Sequence, residues 1–275
     1  MNDSIFTAAG FDAHTLLNDT EHAARAAGKI LLNGLDKQYR IDFKGRIDLV
    51  TEIDIASQQC IIEDLRRRYP DHIFWAEEAE DQNPVEEPFV WLIDPLDGTT
   101  NYTHGYRFFS ISIAFIIDKA IAVGVIYDPW GNEMFTAVKG GGAFLNGRPI
   151  HVSEEENLDR SLLVTGFPYD IRESAINNVG LFNHLIMKAQ AVRRDGSAAL
   201  DLAYLAAGRF DGFWELKLHP WDMAAGALII EEAGGKVSRF DGSEFHVNTF
   251  DLLATNGKIH GKMISEIASV PGDQW

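Results

Sequence analysis

Apolar residues recur at helical spacing in two segments near the N-terminus, and shorter apolar runs follow them. The helical patterns cover residues 13–35 and 55–69, and Pro70 ends the second. Five runs then predict strands without helices between them: residues 72–78, 89–94, 108–118, 120–129 and 133–140. The first half is therefore predicted to pack helices on a largely antiparallel sheet.

The pattern changes near residues 154–158, because strand-like and helical segments alternate from there on. Predicted strands are residues 161–167, 210–215, 235–240 and 251–256, and predicted helices are residues 174–189, 196–208 and 221–235. Such alternation indicates an α/β unit. We expect a layered protein that combines α+β and α/β features in two intimately packed subdomains, residues 1–154 and 155–275.

Composition and charge narrow the function classes. The formal net charge of −17 argues against direct nucleic-acid binding and against binding to anionic membranes. The only cysteine, Cys60, lies in a predicted helix and allows no intrachain disulfide, which fits a reducing compartment. The sequence shows no signal-peptide pattern and no apolar run of membrane-spanning length. We therefore expect a cytoplasmic protein.

The segment WLIDPLDGTTNY, residues 91–102, carries the strongest chemical signal. An apolar strand runs directly into Asp94 and Asp97, and Pro95 between them has no N–H for a ladder, so the chain is expected to turn there. Gly98 lets a ligand approach the backbone closely, and the residues after it predict a short helix whose amides favour an anion. Carboxylates beside an anion-binding turn require a cation between them, and Mg²⁺ suits oxygen ligands.

Three other acidic residues are candidates for the same site. Glu77 follows a predicted strand, Asp222 begins an apolar helix, and Asp48 lies between two helices. Each also has an ordinary structural interpretation: an acidic turn for Glu77, a helix N-cap for Asp222 and a surface turn for Asp48. Taken singly, these residues do not define a site.

Together the segments resemble the inositol monophosphatase family of lithium-sensitive, metal-dependent phosphatases, over nearly the whole chain. The matching segments are DLVTEID at 48–54, AEE at 76–78, WLIDPLDGTTNY at 91–102, RRDGSAALDLAYLAAGRFDGFWE at 193–215, WDMAAG at 221–226 and EEAGG at 231–235. The resemblance implies a layered α-β-α-β-α sandwich of the sugar phosphatase type and a homodimer. It also implies hydrolysis of a phosphate monoester with about two or three Mg²⁺ ions per active site. Residues 1–154 would carry the main metal loop, and residues 155–275 would complete the metal and substrate site.

The resemblance also implies a set of metal ligands. One ion would be held by Glu77, Asp94 and the backbone carbonyl of Leu96. A second would be held by Asp94, Asp97 and Asp222, and a third, weaker ion would use Glu77 and waters. Asp94 would therefore bridge two ions, as in other multi-metal phosphatase sites.

Catalytic and substrate-binding roles follow from the same resemblance. Thr99 would hydrogen-bond the attacking water and be oriented by Asp48, and Glu77 completes the catalytic set. Displacement would be direct and in line, without a phosphoenzyme. The implied substrate-binding residues are Leu96, Asp97, Gly98, Thr99, Gly196, Ser197, Ala198, Glu215 and Asp222.

The substrate and a second role stay open at this point. Inositol 1-phosphate is the expected substrate, with Glu215 accepting hydrogen bonds from cyclitol or sugar hydroxyls. Arg193 and Arg194 could instead meet the second phosphate of fructose 1,6-bisphosphate, alone or in a dual-specificity phosphatase, and a 3′-phosphoadenosine nucleotidase ranks lower. In another class, bacterial relatives act as partners of the transcription antitermination machinery or in ribosome biogenesis.

Overall fold

The computed structural model describes residues 4–35, 37, 40–43, 49–78, 85–272 and 275. Asp48 lies outside these residues. The described ranges contain eight α-helices: α1 (Ser4–Ala9), α2 (Ala13–Gly34), α3 (Glu52–Arg68), α4 (Thr99–Thr103), α5 (Val179–Leu185), α6 (Ala198–Ala206), α7 (Pro220–Glu232) and α8 (His260–Ala268). Across these ranges, every helix is too short or too polar to cross a membrane.

Within the described residues, the strands form two large sheets and one small pair. In chain order they are β1 (Ile41–Phe43), β2 (Leu49–Thr51), β3 (Ile73–Ala76), β4 (Phe89–Asp97), β5 (Ser110–Ile117), β6 (Ala120–Asp128), β7 (Glu133–Val138), β8 (Gly142–Leu145), β9 (Arg148–Pro149), β10 (Leu162–Thr165), β11 (Ala191–Arg193), β12 (Gly212–Leu216), β13 (Lys236–Ser238) and β14 (Asp251–Thr255). A short 3₁₀ helix, Leu158–Arg160, precedes β10.

The larger sheet has seven strands in the order β3-β4-β5-β6-β7-β8-β9, and every pair except β3–β4 is antiparallel. This confirms the largely antiparallel sheet expected for the first half. The smaller sheet has the order β11-β10-β12-β14-β13 and is mixed, because β10 pairs in parallel with β11 and β12 while β14 is antiparallel to both its neighbours. β1 and β2 form a separate antiparallel pair.

Three buried apolar clusters show how the layers stack. Residues of α2 and α3 pack on one face of the seven-stranded sheet. Its other face packs on α6 and α7, which in turn contact the five-stranded sheet. α5 and α8 cover the outer face of the five-stranded sheet. The order of layers is therefore α-β-α-β-α, and the predicted architecture is confirmed.

Pro95 does not end its strand as predicted. β4 continues to Asp97, and the ladder to β5 changes register there, from Asp94 opposite Ser112 to Asp97 opposite Ser110. The extra residue is a bulge, where a residue without an N–H costs no ladder hydrogen bond. The bulge brings Asp94 and Asp97 to the same edge of the sheet while the strand persists.

The predicted helix over residues 174–189 is also wrong in extent, because α5 covers only Val179–Leu185. Asn178 precedes it with a φ of +72° and is fully buried. Its amide donates to the Thr165 hydroxyl (2.8 Å) and to the Gly166 carbonyl (2.6 Å), and its oxygen accepts from Trp214 Nε1 (2.7 Å). These contacts to neighbouring strands hold Asn178 in a non-helical conformation, so α5 begins only after it. The local sequence pattern could not identify this residue as the start.

Candidate active site

A cleft of about 310 Å³ opens at the edge of the seven-stranded sheet, beside the N-termini of α6 and α7. Every site residue named from the sequence lines it except Arg193 and Asp48, and Asp48 is outside the described residues. The shared lining residues are Glu77, Asp94, Leu96, Asp97, Gly98, Thr99, Gly196, Ser197, Ala198, Glu215 and Asp222. Residues as far apart in the chain as Glu77 and Asp222 therefore meet in one cleft.

Strand topology accounts for the meeting of the first acids. β3 and β4 are parallel neighbours, so their carboxyl ends lie at the same edge of the sheet. Glu77 follows β3 directly, and its N–H donates to the Ile93 carbonyl of β4 (3.1 Å). Asp94 and Asp97 lie at the two ends of the bulge in β4, and Asp222 lies in the first turn of α7.

Three of the carboxylates are each held by hydrogen bonds to one of their own two oxygens. Asp94 Oδ1 accepts from the Leu96 N–H (2.9 Å), and Asp222 Oδ2 accepts from the His219 N–H (2.8 Å). Asp97 Oδ2 accepts from the Ser197 hydroxyl (2.5 Å) and the Ala199 N–H (2.7 Å).

Metal-ligating carboxylates are commonly fixed in this way by neighbouring donors. Among the residues that the structure describes, the other oxygens of Asp94 and Asp222 accept no hydrogen bond. Those oxygens remain free to act as ligands.

The acids destabilise one another's charged forms. Desolvation raises the pKa of Asp94 well above its usual value, and the charges of Glu77, Asp97 and Asp222 raise it further. Desolvation and the charges of Asp97 and Glu77 also raise the pKa of Asp222 well above its usual value. The pKa of Asp97 rises to about 6 through desolvation, although hydrogen bonds from Ser197 and Ala199 oppose the rise. A bound cation would relieve this repulsion.

The donor set matches Mg²⁺ in chemistry, because it consists of carboxylate oxygens and a backbone carbonyl. In the described ranges, however, no three His, Cys, Asp or Glu side chains are arranged so that they could hold a metal ion in the positions shown.

Thr99 has a carboxylate partner that the sequence did not single out. Its hydroxyl lies 3.0 Å from Asp54 Oδ1 and 3.1 Å from the Leu96 carbonyl oxygen. Asp54 is fully buried, and desolvation raises its pKa, while hydrogen bonds from Thr51 and Thr99 oppose the rise. The available signal was the Thr51-x-x-Asp54 spacing of a capping box, which points to a helix start rather than to a catalytic contact.

The cleft is also lined by Glu215, Asp201 and Arg194. Desolvation raises the pKa of Glu215 to about 8 against the opposing effect of Arg194, and a side chain at Gly166 would overlap its carboxylate. Asp201 is buried in α6, and its Oδ1 has no hydrogen-bond partner within the described part of the chain. Asp201 escaped the sequence reasoning, although an acid inside an apolar, small-residue helix was a usable signal.

The layered fold and the oxygen-lined acidic cleft define a phosphoric monoester hydrolase. More particularly, the chain belongs to the inositol monophosphatase family, whose family model matches residues 12–271. Members of this family are generally Mg²⁺-dependent, and lithium sensitivity is typical of them.

Individual relatives carry different names. The chain is 47% identical to an inositol-1-monophosphatase of Synechocystis sp., over 96% of this chain and 92% of the relative. It is 40% identical to the Nus factor SuhB of Escherichia coli K12, over 92% of this chain and 96% of the relative. The solved structure of an inositol monophosphatase from Anabaena sp. PCC 7120 superposes with a TM-score of 0.85 at 45% identity, covering 94% of this chain and 97% of that one. Family membership therefore does not select one substrate.

Proposed function

We propose that the protein hydrolyses a small phosphate monoester with Mg²⁺, and that inositol 1-phosphate, yielding inositol and phosphate, is its best substrate. One observation carries the proposal: the acids at the end of β3, in β4 and in the first turn of α7 converge on a cleft that Glu215 also lines, and this buried carboxyl group is available to a polyol. Carboxylates that repel one another in a buried cluster need a cation to offset their charge. Mg²⁺ held by a few carboxylates typically also binds a substrate phosphate, which favours a phosphate ester as the ligand.

The proposed ligand sets are those of the family pattern. Glu77, Asp94 and the Leu96 carbonyl would hold one ion, and Asp94, Asp97 and Asp222 a second; a third would rest on Glu77 and waters. When bound, Mg²⁺ lowers the pKa of a bound water and neutralises charge on the phosphate. The chain's own donors hold these carboxylates in place, as the contacts of Asp94, Asp97 and Asp222 indicate.

Thr99 is proposed to accept a hydrogen bond from the attacking water and so to aim it along the axis of displacement, with Glu77 as the second catalytic side chain. Gly98, Ser197 and Ala198 line the cleft where the phosphate would lie. The polyol would meet Glu215, together with Gly196. Because the pKa of Glu215 rises to about 8, its carboxyl group keeps a proton at neutral pH in the metal-free protein and can both donate to and accept from hydroxyls.

The test is phosphate release from a substrate panel with Mg²⁺ and with EDTA. The panel contains inositol 1-phosphate, fructose 1,6-bisphosphate and 3′-phosphoadenosine 5′-phosphate. We expect Mg²⁺-dependent turnover with the highest kcat/KM on inositol 1-phosphate. A higher kcat/KM on the nucleotide would overturn the substrate assignment, and turnover that persists in EDTA would overturn the metal assignment.

A second candidate substrate is fructose 1,6-bisphosphate, and Arg194 is the observation that favours it. Arg194 lines the cleft, whereas Arg193 does not. A charge-assisted contact from Arg194 to a second phosphate would be worth about 1.5–3 kcal/mol. If so, Arg194→Ala lowers kcat/KM on the bisphosphate by roughly 10- to 100-fold and spares inositol 1-phosphate, and an equal loss on both esters argues against this substrate.

A role outside catalysis is a further proposal, supported by the 40% identity to a relative named Nus factor SuhB. Pull-down with RNA polymerase and Nus factors from the native host tests it, and absence of enrichment would refute it.

The family resemblance also supports a homodimer in the cytoplasm. Light scattering of the purified protein and fractionation of the host cells test these two points.

A further inference from the structure

The chain between β10 and α5, residues 166–178, forms part of the cleft. All of these residues are described, and they contain neither helix nor strand. A connection of this length without secondary structure is uncommon in a compact domain and usually serves binding or catalysis. The acids that line the cleft all come from other parts of the chain, whereas this connection contributes apolar and aromatic side chains: Phe167, Pro168, Tyr169 and Ile171.

A lysine from the connection between β12 and α7 holds this segment in place. Lys217 Nζ donates to Asp170 Oδ2 (2.6 Å) and to the Ser174 hydroxyl oxygen (2.8 Å). Asp170 and Ser174 belong to one turn, because the Ser174 N–H donates to the Asp170 carbonyl (2.9 Å). The Lys217 side chain is only 21% exposed, so most of its aliphatic part is covered as well. A single ammonium group therefore binds both ends of the turn that follows Tyr169.

The backbone of Lys217 adopts a conformation that is costly for lysine. Its φ is +61°, in the left-handed region where Cβ crowds a carbonyl oxygen. Lys119 is the other lysine with a positive φ among the described residues, and it lies in the two-residue turn between β5 and β6, which requires such angles. No hairpin explains Lys217, which lies between a strand and a helix. A costly backbone conformation imposed by its surroundings is an indication of function.

The position of Lys217 connects the segment to two functional side chains. Glu215 precedes it at the end of β12, and Asp222 follows it in the first turn of α7. The segment also packs directly on Glu215 at its first residue, since a Cβ at Gly166 would lie 2.1 Å from Glu215 Oε1. The place of Tyr169 relative to Glu215 is therefore determined at two points, one on each side of it along the segment.

The combination of these side chains suits a ring-shaped alcohol. A cyclic polyol carries hydroxyl groups around its edge and C–H groups on the faces of its ring. Ligand pockets typically join an apolar lining to a small number of polar groups that fix orientation. Tyr169 is 56% exposed, so a ligand can reach its ring, and Ile171 lines the same cleft. An open-chain polyol has no continuous apolar face to place there and loses more conformational freedom on binding.

We propose that Tyr169 and Ile171 are specificity-determining residues that select a cyclic leaving group. The ring face of the alcohol packs on these two side chains while its hydroxyls meet Glu215. Lys217 is the positioning residue that holds them at the cleft through its ion pair with Asp170. The inference rests on the proposed function, since it concerns the alcohol part of the same phosphate ester.

The experiment compares kcat/KM on inositol 1-phosphate, a ring ester, with kcat/KM on glycerol 2-phosphate, an open-chain ester, at saturating Mg²⁺. Lys217→Gly removes the ammonium group and suits the positive φ, so the fold should persist. We expect kcat/KM on the ring ester to fall roughly 5- to 20-fold, the range for a charge-assisted contact that is partly exposed. The loss should appear mainly in KM, because the ring contacts do not change in the transition state. On the open-chain ester, kcat/KM should change by less than about twofold.

Two lysine variants separate positioning from a general effect on the fold. Lys119→Gly makes the same substitution at a φ of +69°, in an exposed turn where the lysine pairs with Glu86, and it should leave the ratio of the two kcat/KM values unchanged. Lys217→Arg keeps a cation in reach of Asp170 and should retain most of the preference for the ring ester.

Two further variants test the other members of the arrangement. Asp170→Ala should lower the ratio as Lys217→Gly does, and the double variant should be no worse than about twofold below either single one, because both remove the same ion pair. Tyr169→Ala alters an exposed side chain and should lower the ratio by a similar factor, whereas Tyr169→Phe keeps the aromatic face and should retain it. Tyr169→Ala also tests the inference should a substitution at Lys217 or Asp170 prevent folding.

Three results would overturn the inference while phosphatase activity stands. The first is a wild-type protein that prefers glycerol 2-phosphate. The second is an equal loss on both esters from Lys217→Gly, which would make its role purely structural. The third is an unchanged ratio in Tyr169→Ala. A wild-type protein that releases no phosphate from any ester with Mg²⁺ would instead overturn the proposed function itself, and this inference with it.

Discussion

At the scale of single residues, the site is built from side chains that are ordinary one at a time. Asp222 is a first-turn acid that accepts the His219 N–H, and Asp94 accepts the Leu96 N–H, both common arrangements at a helix start or a turn. Their proximity changes their chemistry, because burial and neighbouring charges raise the pKa of each. Function at this scale follows from unfavourable electrostatics that a cation would offset.

Asp94→Asn is therefore expected to separate stability from activity. It removes a charge from the repelling cluster, so the metal-free protein should unfold at a higher temperature than the wild type. It also removes the proposed bridging ligand, so Mg²⁺-dependent turnover and the rise of Tm on adding Mg²⁺ should both be lost. Differential scanning calorimetry and phosphate release check the two parts. Asp118→Asn, in an exposed turn at the far end of β5, is the control and should alter neither.

Glu215→Gln tests the proposed contact between Glu215 and the polyol part of the substrate. The amide keeps the shape of the side chain and can still donate and accept, so kcat/KM on inositol 1-phosphate should fall by about 10-fold or less. Release of phosphate from a small ester without hydroxyls, such as p-nitrophenyl phosphate, should change less. A larger loss on p-nitrophenyl phosphate would place Glu215 among the groups that act on the phosphate.

At the scale of elements, the close approach of α7 to β6 positions the site. A Cβ at Gly124 of β6 would lie 2.8 Å from the carbonyl oxygen of Ala225 in α7, a backbone atom that cannot rotate away. The same helix carries Asp222 at its first turn. Packing between this glycine and the helix backbone thus helps to set the height of Asp222 above the sheet.

Gly124→Ala should destabilise the protein by about 1–3 kcal/mol, the usual cost of overpacking a rigid contact. The Mg²⁺ affinity should fall as well, because α7 must shift outward together with Asp222. Gly261→Ala is the matched control: a Cβ there meets nothing within 4 Å, and alanine in helix α8 should stabilise by about 0.5–1 kcal/mol. Urea unfolding and calorimetric Mg²⁺ titration measure both variants. Equal effects of the two substitutions would contradict the packing argument.

At the scale of the whole molecule, the acidic cleft makes the free energy of unfolding depend on pH. The pKa of Glu215 rises to about 8 and that of Asp97 to about 6, while an unfolded chain titrates both near pH 4. As pH rises from about 4 to about 8, the unfolded state releases protons that the folded state retains. The free energy of unfolding therefore falls by about 1.4 kcal/mol per pH unit for each group between its unfolded and folded pKa values, which for Asp97 ends near pH 6 and for Glu215 near pH 8.

The metal-free protein, kept in EDTA, is accordingly expected to have a lower Tm near pH 8 than near pH 5.5. Glu215→Gln should flatten this dependence, because it removes the group whose pKa rises to about 8. Mg²⁺ should raise Tm most at the higher pH, where the carboxylates are ionised. Thermal scans of both proteins across the pH range measure these effects. A Tm that rises with pH in EDTA would show that other groups dominate the pH dependence.

The sequence by itself indicated helices on a largely antiparallel sheet followed by an α/β unit, and its resemblance to the family supplied the five-layer architecture and most of the acidic residues that line the cleft. Strand and helix periodicity is local, and the segment at residues 91–102 places two carboxylates next to a turn whatever surrounds it. Only the tertiary structure decided the partner of Thr99, the bulge that carries β4 past Pro95, and the late start of α5 at Asn178. Each of these depends on contacts between segments distant in the chain, such as the 45 residues that separate Asp54 from Thr99. Local patterns carry no information about which distant donor or acceptor a buried side chain will meet. Burial makes that partner necessary, because a buried polar group without a hydrogen bond costs free energy.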